Sequence, residues 1–271
     1  PTISIGDVSV AEGDTGPSNA TFTVTLSAAA QQTITVAYAT ADGTATVVGG
    51  DYAGATGTVT FDLGDLSKPI TVVVNGDTLD EADETFTVNL TSPVNATIAD
   101  GAGAGTIVDD DAAPAASIAD VTVLEGNTGT SNAVFAATLS AASAQTITMQ
   151  FASTDGVGGT AATAGSDYTA STGTLTFNPG ETSKTISVPV AGDTTAEPSE
   201  TFTVTLSTPV NVSFARAVAT GTIQNDDGVA LPSISISDVT QAEGNAGTTI
   251  FTFTVSLSLA SAQAVTVQFA S

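Results

Sequence analysis

The chain has 271 residues, with 28 acidic and three basic side chains, a formal charge of −25, and no cysteine, histidine or tryptophan. Without histidine, ordinary acid–base catalysis at neutral pH lacks its usual side chain, so we expect a protein that is not an enzyme. The charge argues against nucleic acid or an anionic membrane as a partner, because both are bound through clustered Lys and Arg, and we therefore expect the partners to be cations.

Alternation of apolar and polar residues predicts β-strands along the whole chain, as in the segment Thr-Phe-Thr-Val-Thr-Leu at residues 21–26. Glycine, aspartate, asparagine and proline separate the alternating runs. In chain order, the first strands are predicted at residues 2–10, 20–27, 33–40, 57–61, 68–75, 84–91 and 103–109. About seven such strands predict an all-β fold of the immunoglobulin-like kind, an antiparallel β-sandwich with almost no helix.

The same order of segments occurs three times. A Glu-Gly pair follows the first strand at Glu12, Glu125 and Glu243, so the period is 113 and then 118 residues, the size of one sandwich. The repeat predicts a sandwich at 1–111, a linker at 112–116, a second sandwich at 117–227, a linker at 228–232 and a partial third sandwich at 233–271. Short linkers with one proline each predict an elongated array.

The third repeat contains only three predicted strands, at residues 233–239, 250–258 and 264–271. Half a sandwich cannot close its core, and two explanations remain open. In the first, the chain is a segment of a longer array, which also fits a start at Pro1 without a signal segment. In the second, strands from another copy complete the repeat and build a polymer.

Acidic side chains are concentrated where strands end, and few cations are available to pair with them. Carboxylates gathered at one end of a sandwich repel one another unless a hard divalent cation lies among them, and calcium accepts six to eight oxygens in loose geometry. Zinc or copper would need His or Cys. The candidates are Glu12, Asp42, Asp51, Asp77, Asp80, Glu81, Glu84, Asp109, Asp110 and Asp111; Glu125, Asp155, Asp167, Asp193, Glu197, Glu200, Asp226 and Asp227; and Glu243.

The recurring motifs resemble those of the Calx-beta domain. They are Glu-Gly, Asp-Gly-Thr, Asp-Tyr, Gly-Thr-[Val/Leu]-Thr-Phe, Asp-x-x-x-Glu-x-x-Glu-Thr-Phe and Gly-Thr-Ile-x-[Asp/Asn]-Asp-Asp, and they cover essentially the whole chain. That family occurs in sodium/calcium exchangers, in integrin β4, and in tandem in large bacterial surface and adhesion proteins. The resemblance implies an immunoglobulin-like sandwich with calcium ions in loops at one end.

The resemblance also implies a ligand set. Carried over residue by residue, it consists of Glu12, Asp42, Asp77, Glu81, Asp109, Asp110 and Asp111 in the first repeat and of Glu125, Asp155, Asp193, Glu197, Asp226 and Asp227 in the second. The second repeat departs from the first at Asn225, Ala196 and Ser199, which replace aspartates. We therefore expect it to bind fewer ions or to bind them more weakly.

Structural roles remain open for several of these acids. Asp42 and Asp155 precede glycine and are typical of turns. Asp51 and Asp167 precede a tyrosine that could be packed while the aspartate caps a turn, and Glu84 could be an exposed residue at the start of a strand. The acidity as a whole could also serve solubility in salt, without specific sites.

We expect an extracellular calcium-binding structural array, a stalk, filament or adhesin segment that is secreted or on a bacterial surface and is stiffened by calcium at the joints between repeats. Alternatives are an adhesive module that contacts a partner directly and a calcium sensor. Extracellular modules typically bind calcium at about 10⁻⁴ to 10⁻³ M, whereas sensors bind it more tightly. Residues of the kind that dominate protein interfaces are scarce, which favours the structural role.

Overall fold

The computed structural model describes residues 1–228, 232–260 and 264–270, and it confirms the all-β class. The described part contains twenty strands and no helix. Across those same residues, nothing helical has the length and apolar character needed to cross a membrane. The two full repeats form two sandwiches of the same topology, each with its own core.

Each sandwich contains nine strands. In the first repeat they are β1 Thr2–Ile5, β2 Val8–Ala11, β3 Gly16–Leu26, β4 Ile34–Asp42, β5 Thr56–Phe61, β6 Ser67–Gly76, β7 Glu84–Val94, β8 Thr97–Asp100 and β9 Ala102–Val108. In the second they are β10 Ala115–Ile118, β11 Val121–Leu124, β12 Gly129–Leu139, β13 Ile147–Thr154, β14 Thr172–Phe177, β15 Ser183–Gly192, β16 Glu200–Val210, β17 Ser213–Arg216 and β18 Val218–Gln224. The third repeat has β19 Ile234–Ile236 and β20 Val255–Leu257.

The two sheets of the first sandwich have the strand orders β6-β3-β1-β8 and β2-β9-β7-β4-β5, and the second sandwich repeats them. Two pairings, β1 with β8 and β2 with β9, are parallel. The other pairings of the first sandwich are antiparallel, as the sequence predicts, and these two are the exceptions. The parallel pairing of β2 and β9 decides where the acidic residues meet, because both strands end at the same edge of the sheet.

The strand predicted at residues 2–10 is two strands in opposite sheets. The chain crosses between the sheets at Gly6, whose N–H donates to the oxygen of Thr23 at 3.1 Å. Asp7 holds the crossing by accepting the N–H of Ala104 at 2.8 Å. Period-two alternation continues across such a crossing, so the sequence pattern alone does not show it. The short strand β8 was also missed, which raises the strand count from about seven to nine.

β10 begins at Ala115, inside the segment 112–116 that was predicted as a linker. The N–H of Ala115 donates to Oγ of Ser140 at 2.8 Å, so part of the expected linker belongs to the second sandwich. Residues 229–231 of the second predicted linker lie outside the described residues.

An aromatic cluster fills the end of each core that lies under the acidic loops. Tyr52 stacks on Phe86 with ring centroids 4.5 Å apart, and Phe22 meets Phe86 edge-on at 5.8 Å. Tyr168 and Phe202 stack in the same way at 4.6 Å in the second repeat. Burying one such side chain stabilises the fold by about 1.5–3 kcal/mol, so the rings also fix the loops attached to them.

The third repeat exposes its apolar side chains. Phe253 is 53% exposed and Phe269 is 93% exposed, whereas the corresponding strands of the first two repeats are covered by a second sheet. The strand predicted at 264–271 was wrong over residues 264–270, which are not in a strand, and Ser271 lies outside the described residues. Its counterparts β4 and β13 pair with two neighbours each, and the third repeat supplies neither neighbour among the described residues.

Candidate metal centre

Glu12, Asp109 and Asp111 form a first group of carboxylates, called cluster A below. One oxygen from each lies within 4.8 Å of the others. Glu12 follows β2 and Asp109 follows β9, and these strands pair in parallel up to Ala11 opposite Val108. Parallel neighbours end at the same edge, so the pairing itself brings the two acidic segments together.

Asp51, Glu81 and Glu84 form a second group, called cluster B, with the same 4.8 Å spacing. Glu84 is the first residue of β7, and Glu81 lies in the loop that joins β6 to β7. The carbonyl oxygen of Asp51 accepts the N–H of Asn75 at 3.0 Å, which ties this residue to the end of β6. Two segments that are distant in sequence, around Asp51 and around Glu81 and Glu84, therefore converge beside cluster A.

Asp109 connects the two clusters. Its Oδ1 accepts the N–H of Glu81 at 3.2 Å, and its own N–H donates to Oδ1 of Asp83 at 3.2 Å. The acidic loop and the segment after β9 therefore form one continuous site rather than two unrelated patches.

Burial and mutual repulsion raise the pKa values in this site. Burial, followed by the charges of Glu81 and Asp77, raises the pKa of Glu12 from 4.5 to about 7. Burial and the charge of Asp51 raise the pKa of Glu84 to about 7. The pKa values of Glu81, Asp109 and Asp111 are raised as well, each chiefly by burial.

No cation of the chain relieves this repulsion, because all three side-chain cations pair with carboxylates elsewhere. Lys68 pairs with Asp65 at 2.8 Å, Lys184 pairs with Glu181 at 2.7 Å, and Arg216 pairs with Asp120. The site therefore concentrates negative charge without an internal counterion.

The other candidates of the first repeat are held by protein donors. Asp42 accepts the hydroxyl of Tyr52 at 2.6 Å and the N–H of Val47 at 3.1 Å. Asp77 accepts the N–H of Leu79 at 2.7 Å in a turn, yet it lies close enough to raise the pKa of Glu12. These contacts belong to the turn role that the sequence left open for Asp42, while Asp77 remains within reach of cluster A.

Asp110 and Asp80 are not members of either cluster, and each accepts a hydrogen bond from a different partner. Oδ1 of Asp110 accepts the N–H of Gly13 at 2.9 Å and so fixes the loop after β2. Asp80 contacts the second repeat, through Oδ2 to the hydroxyl of Ser143 at 2.5 Å.

In the second repeat, Glu125 follows β11 and Asp227 lies after β18, in the same parallel arrangement. Burial and the charge of Asp193 raise the pKa of Glu125, and burial and the charge of Asp167 raise the pKa of Glu200 to about 7. Within residues 115–227, all of which the structure describes, no three carboxylates come within 4.8 Å of one another.

Asn225 accounts for part of that difference. It occupies the place of Asp109, and its Nδ2 donates to the carbonyl oxygen of Glu197 at 2.6 Å. An amide thus replaces a carboxylate at the centre of the site. Asp226 repeats the role of Asp110 by accepting the N–H of Gly126 at 3.0 Å.

Three further candidates remain, of which Asp193 lies close enough to the central acids to raise the pKa of Glu125. Asp155 accepts the hydroxyl of Tyr168 at 2.7 Å, a hydrogen bond that lowers the pKa of Asp155. Asp193 accepts the N–H of Thr195 in a turn. In the third repeat Glu243 is exposed.

Asp14 was not among the candidates, although its charge helps to raise the pKa of Asp111. The position of Asp14 directly after the Glu-Gly pair could have identified it as a candidate; Asn127 and Asn245 occupy the same position in the other repeats.

The residues fit a hard divalent cation. Oδ2 of Asp111, Oε1 of Glu125 and Oδ2 of Asp227 are buried side-chain oxygens without a hydrogen-bond partner. Such atoms are costly to bury, and all three lie in the two acidic sites. Carboxylate oxygens borne on loops suit calcium, whereas the sites contain no histidine or cysteine, the ligands preferred by zinc and copper.

A family model for the Calx-beta domain matches the chain twice, over residues 3–112 and 109–227. Among solved structures, CBD12 from CALX1.2 is 20% identical with a TM-score of 0.39, over 83% of this chain and 100% of that one. The calcium binding domain CBD12 of CALX1.1 is 19% identical with a TM-score of 0.40, over the same shares of both chains. The apo form of Calx CBD1 is 25% identical with a TM-score of 0.35, over 41% of this chain and 100% of that one. No curated protein matched.

Proposed function

The chain belongs to the Calx-beta domain family, whose model matches it twice in succession, and we propose that it is a calcium-binding structural segment of an extracellular array. In this role, calcium held in the acidic loops stiffens the chain, and the repeats place other parts of the protein at a distance from a cell surface. The proposal assigns the chain a binding and mechanical role.

The observation that carries the proposal is the pair of clusters in the first repeat. Six carboxylates from four separate segments meet there, the pKa values of two glutamates are raised to about 7, and one buried aspartate oxygen lacks a partner. Acidic residues that served only solubility would be expected to lie apart, because repulsion between neighbouring carboxylates destabilises the folded state. A bound cation would offset the repulsion between these carboxylates and so accounts for their clustering.

The chain's own residues would hold calcium in a definite way. Glu12, Asp109 and Asp111 offer oxygens from cluster A, and Asp51, Glu81 and Glu84 offer oxygens from cluster B. A bound calcium ion would supply the positive charge that the site lacks. The raised pKa values mean that protons compete with the metal near neutral pH, so binding should strengthen as pH rises through about 7 and level off above it.

Two features support a structural rather than a sensory role. The acidic loop that contributes Glu81 and Glu84 also contacts the second repeat, through Asp80, so calcium would stabilise a loop that takes part in the joint. The second repeat has fewer converging carboxylates, which favours weaker sites. We place the affinity at about 10⁻⁴ to 10⁻³ M, the range of extracellular modules. Secretion and a bacterial surface belong to the same proposal and rest on the tandem arrangement.

Calorimetric titration of the full chain with calcium tests the proposal, with thermal unfolding in calcium and in chelator alongside. A ligand that binds only the folded state must raise the melting temperature. At a free calcium concentration of one hundred times Kd, the free energy of unfolding increases by about 2.7 kcal/mol. Heat of binding near millimolar calcium with this stabilisation supports the structural role. Micromolar binding with a change of shape would instead support a calcium sensor.

The matched control is the variant Glu181→Gln, because this glutamate pairs with Lys184 outside the acidic loops. It should leave the calcium heat unchanged. Absence of both heat and stabilisation in the unmodified chain would refute the proposal and leave the acids as a solubilising surface.

A further inference from the structure

Asp80 and Ser143 are the most deeply buried polar contact between the two full repeats. Asp80 is 5% exposed and Ser143 is 2% exposed, although each lies in a loop. Asp80 comes from the acidic loop before β7, and Ser143 comes from the loop between β12 and β13. A carboxylate buried at a joint between domains, with a hydroxyl as its partner, needs an explanation that the metal site does not provide.

The hydrogen bonds at this joint are complementary. The hydroxyl of Ser143 accepts the N–H of Gln145 at 3.0 Å, which leaves its own hydrogen free to be donated to Oδ2 of Asp80 at 2.5 Å. The side chain of the first repeat is therefore recognised by a group already oriented within the second.

Main-chain groups extend the contact. The N–H of Ala144 donates to the carbonyl oxygen of Asp80 at 3.0 Å, and Nε2 of Gln145 donates to the carbonyl oxygen of Glu81 at 2.9 Å. Asp80 and Ser143 also form an isolated parallel β-bridge. The segment Ser143–Gln145 thus adds to the acidic loop as a short strand adds to a sheet edge.

The positions involved differ between repeats. Ala196 stands in the second repeat where Asp80 stands in the first, and Ala30 stands in the first where Ser143 stands in the second. The motif Ser-Ala-Gln recurs at 261–263, which lie outside the described residues. The carboxylate and its hydroxyl partner thus form a pair specific to one joint, rather than a general feature of the fold.

We propose that Ser143, Ala144 and Gln145 form a docking motif for the acidic loop of the preceding repeat, with Asp80 as its specific partner, and that this motif holds the first joint in one orientation without metal. Asp80 is on this account a joint residue and not a calcium ligand. The inference is independent of the proposed calcium function, because no group in the contact requires a cation.

Distance measurements between spin labels test it, since a chain without cysteine can be labelled at two chosen positions. The exposed residues Thr71 on β6 and Ser187 on β15 are equivalent in the two sandwiches, and both are replaced by cysteine in the full chain. Pulsed double electron–electron resonance then gives the distribution of distances across the joint. All samples contain chelator, so that a failure of the calcium proposal leaves this test unaffected.

We expect one narrow distribution for the labelled parent and a much broader one for Ser143→Ala, which leaves the buried carboxylate of Asp80 without its hydroxyl. The double variant Asp80→Ala with Ser143→Ala should return toward the narrow distribution, because no charge then remains to be desolvated. Gln32→Ala is the matched control at the position equivalent to Gln145, and it should leave the distribution narrow. Circular dichroism confirms that each variant is folded.

Three results would overturn the inference. The labelled parent could already give a broad distribution in chelator, Ser143→Ala could leave it narrow, or Gln32→Ala could broaden it as much as Ser143→Ala does. In the first case the joint is not held by the protein alone. In the other two cases the contact does not set its orientation.

Discussion

Replacing Glu12 by glutamine should have opposite effects on stability in chelator and in calcium. Glu12 is 6% exposed, and burial together with its acidic neighbours raises its pKa from 4.5 to about 7. One pKa unit corresponds to about 1.4 kcal/mol, so this shift destabilises the charged form by at most about 3.5 kcal/mol. Glutamine removes the charge and keeps the shape, but it still buries a polar group.

We therefore expect Glu12→Gln to stabilise the calcium-free chain at pH 7.5 by about 1–2 kcal/mol, which for a domain of this size is a rise of about 4–8 °C in melting temperature. In excess calcium the unmodified chain should melt at the higher temperature. The variant has lost one charged ligand, the carboxylate of Glu12, and therefore gains less than the roughly 2.7 kcal/mol that excess calcium supplies to the unmodified chain. Differential scanning calorimetry in the two buffers measures both differences.

The same shift predicts a pH dependence. A carboxyl whose folded pKa is raised contributes stability that is fully present below pH 4.5 and is lost as pH rises toward 7. In chelator the unmodified chain should therefore melt at a higher temperature at pH 5 than at pH 7.5, and the difference should shrink in Glu12→Gln. The raised pKa of Glu84 acts in the same direction.

A loss of stability in Glu12→Gln that is equal in calcium and in chelator would refute this reasoning, because it would make the carboxylate an ordinary structural group. Glu181→Gln is again the control. Its carboxylate is bound to Lys184, which lowers its pKa, so any effect should be the same in both buffers.

Three further predictions concern single positions. Tyr52→Phe removes the hydroxyl that binds Asp42 and should cost about 1 kcal/mol of stability while leaving calcium affinity unchanged in calorimetry; a large loss of affinity would instead make Asp42 part of the site. Gly76→Ala places a Cβ 1.8 Å from a main-chain oxygen and should cost about 3 kcal/mol or more in denaturant unfolding, whereas Gly159→Ala meets nothing within 4 Å and should be tolerated. Asn225→Asp restores a carboxylate to the second site and should increase its calcium affinity severalfold by calorimetry; an unchanged affinity would show that the site is limited elsewhere.

The sequence by itself determined the fold class, the repeat and the set of acidic residues from which the site is built. Period-two alternation is a local property, because it follows from the direction of successive side chains on one strand. The same segments recur with the same spacing, so one repeat supports the interpretation of the next. For these reasons most strands of the two full repeats lie close to where the pattern predicts them.

Only the tertiary structure decided which acids meet. Asp42 and Asp51 both stand beside turns in the sequence, yet Asp42 is bound by Tyr52 while Asp51 joins Glu81 and Glu84. Asp80 turns to the second repeat instead of its neighbours. Proximity in a site depends on strand order, on the parallel pairing of β2 with β9 and on loop hydrogen bonds between distant residues, and no local pattern encodes those contacts.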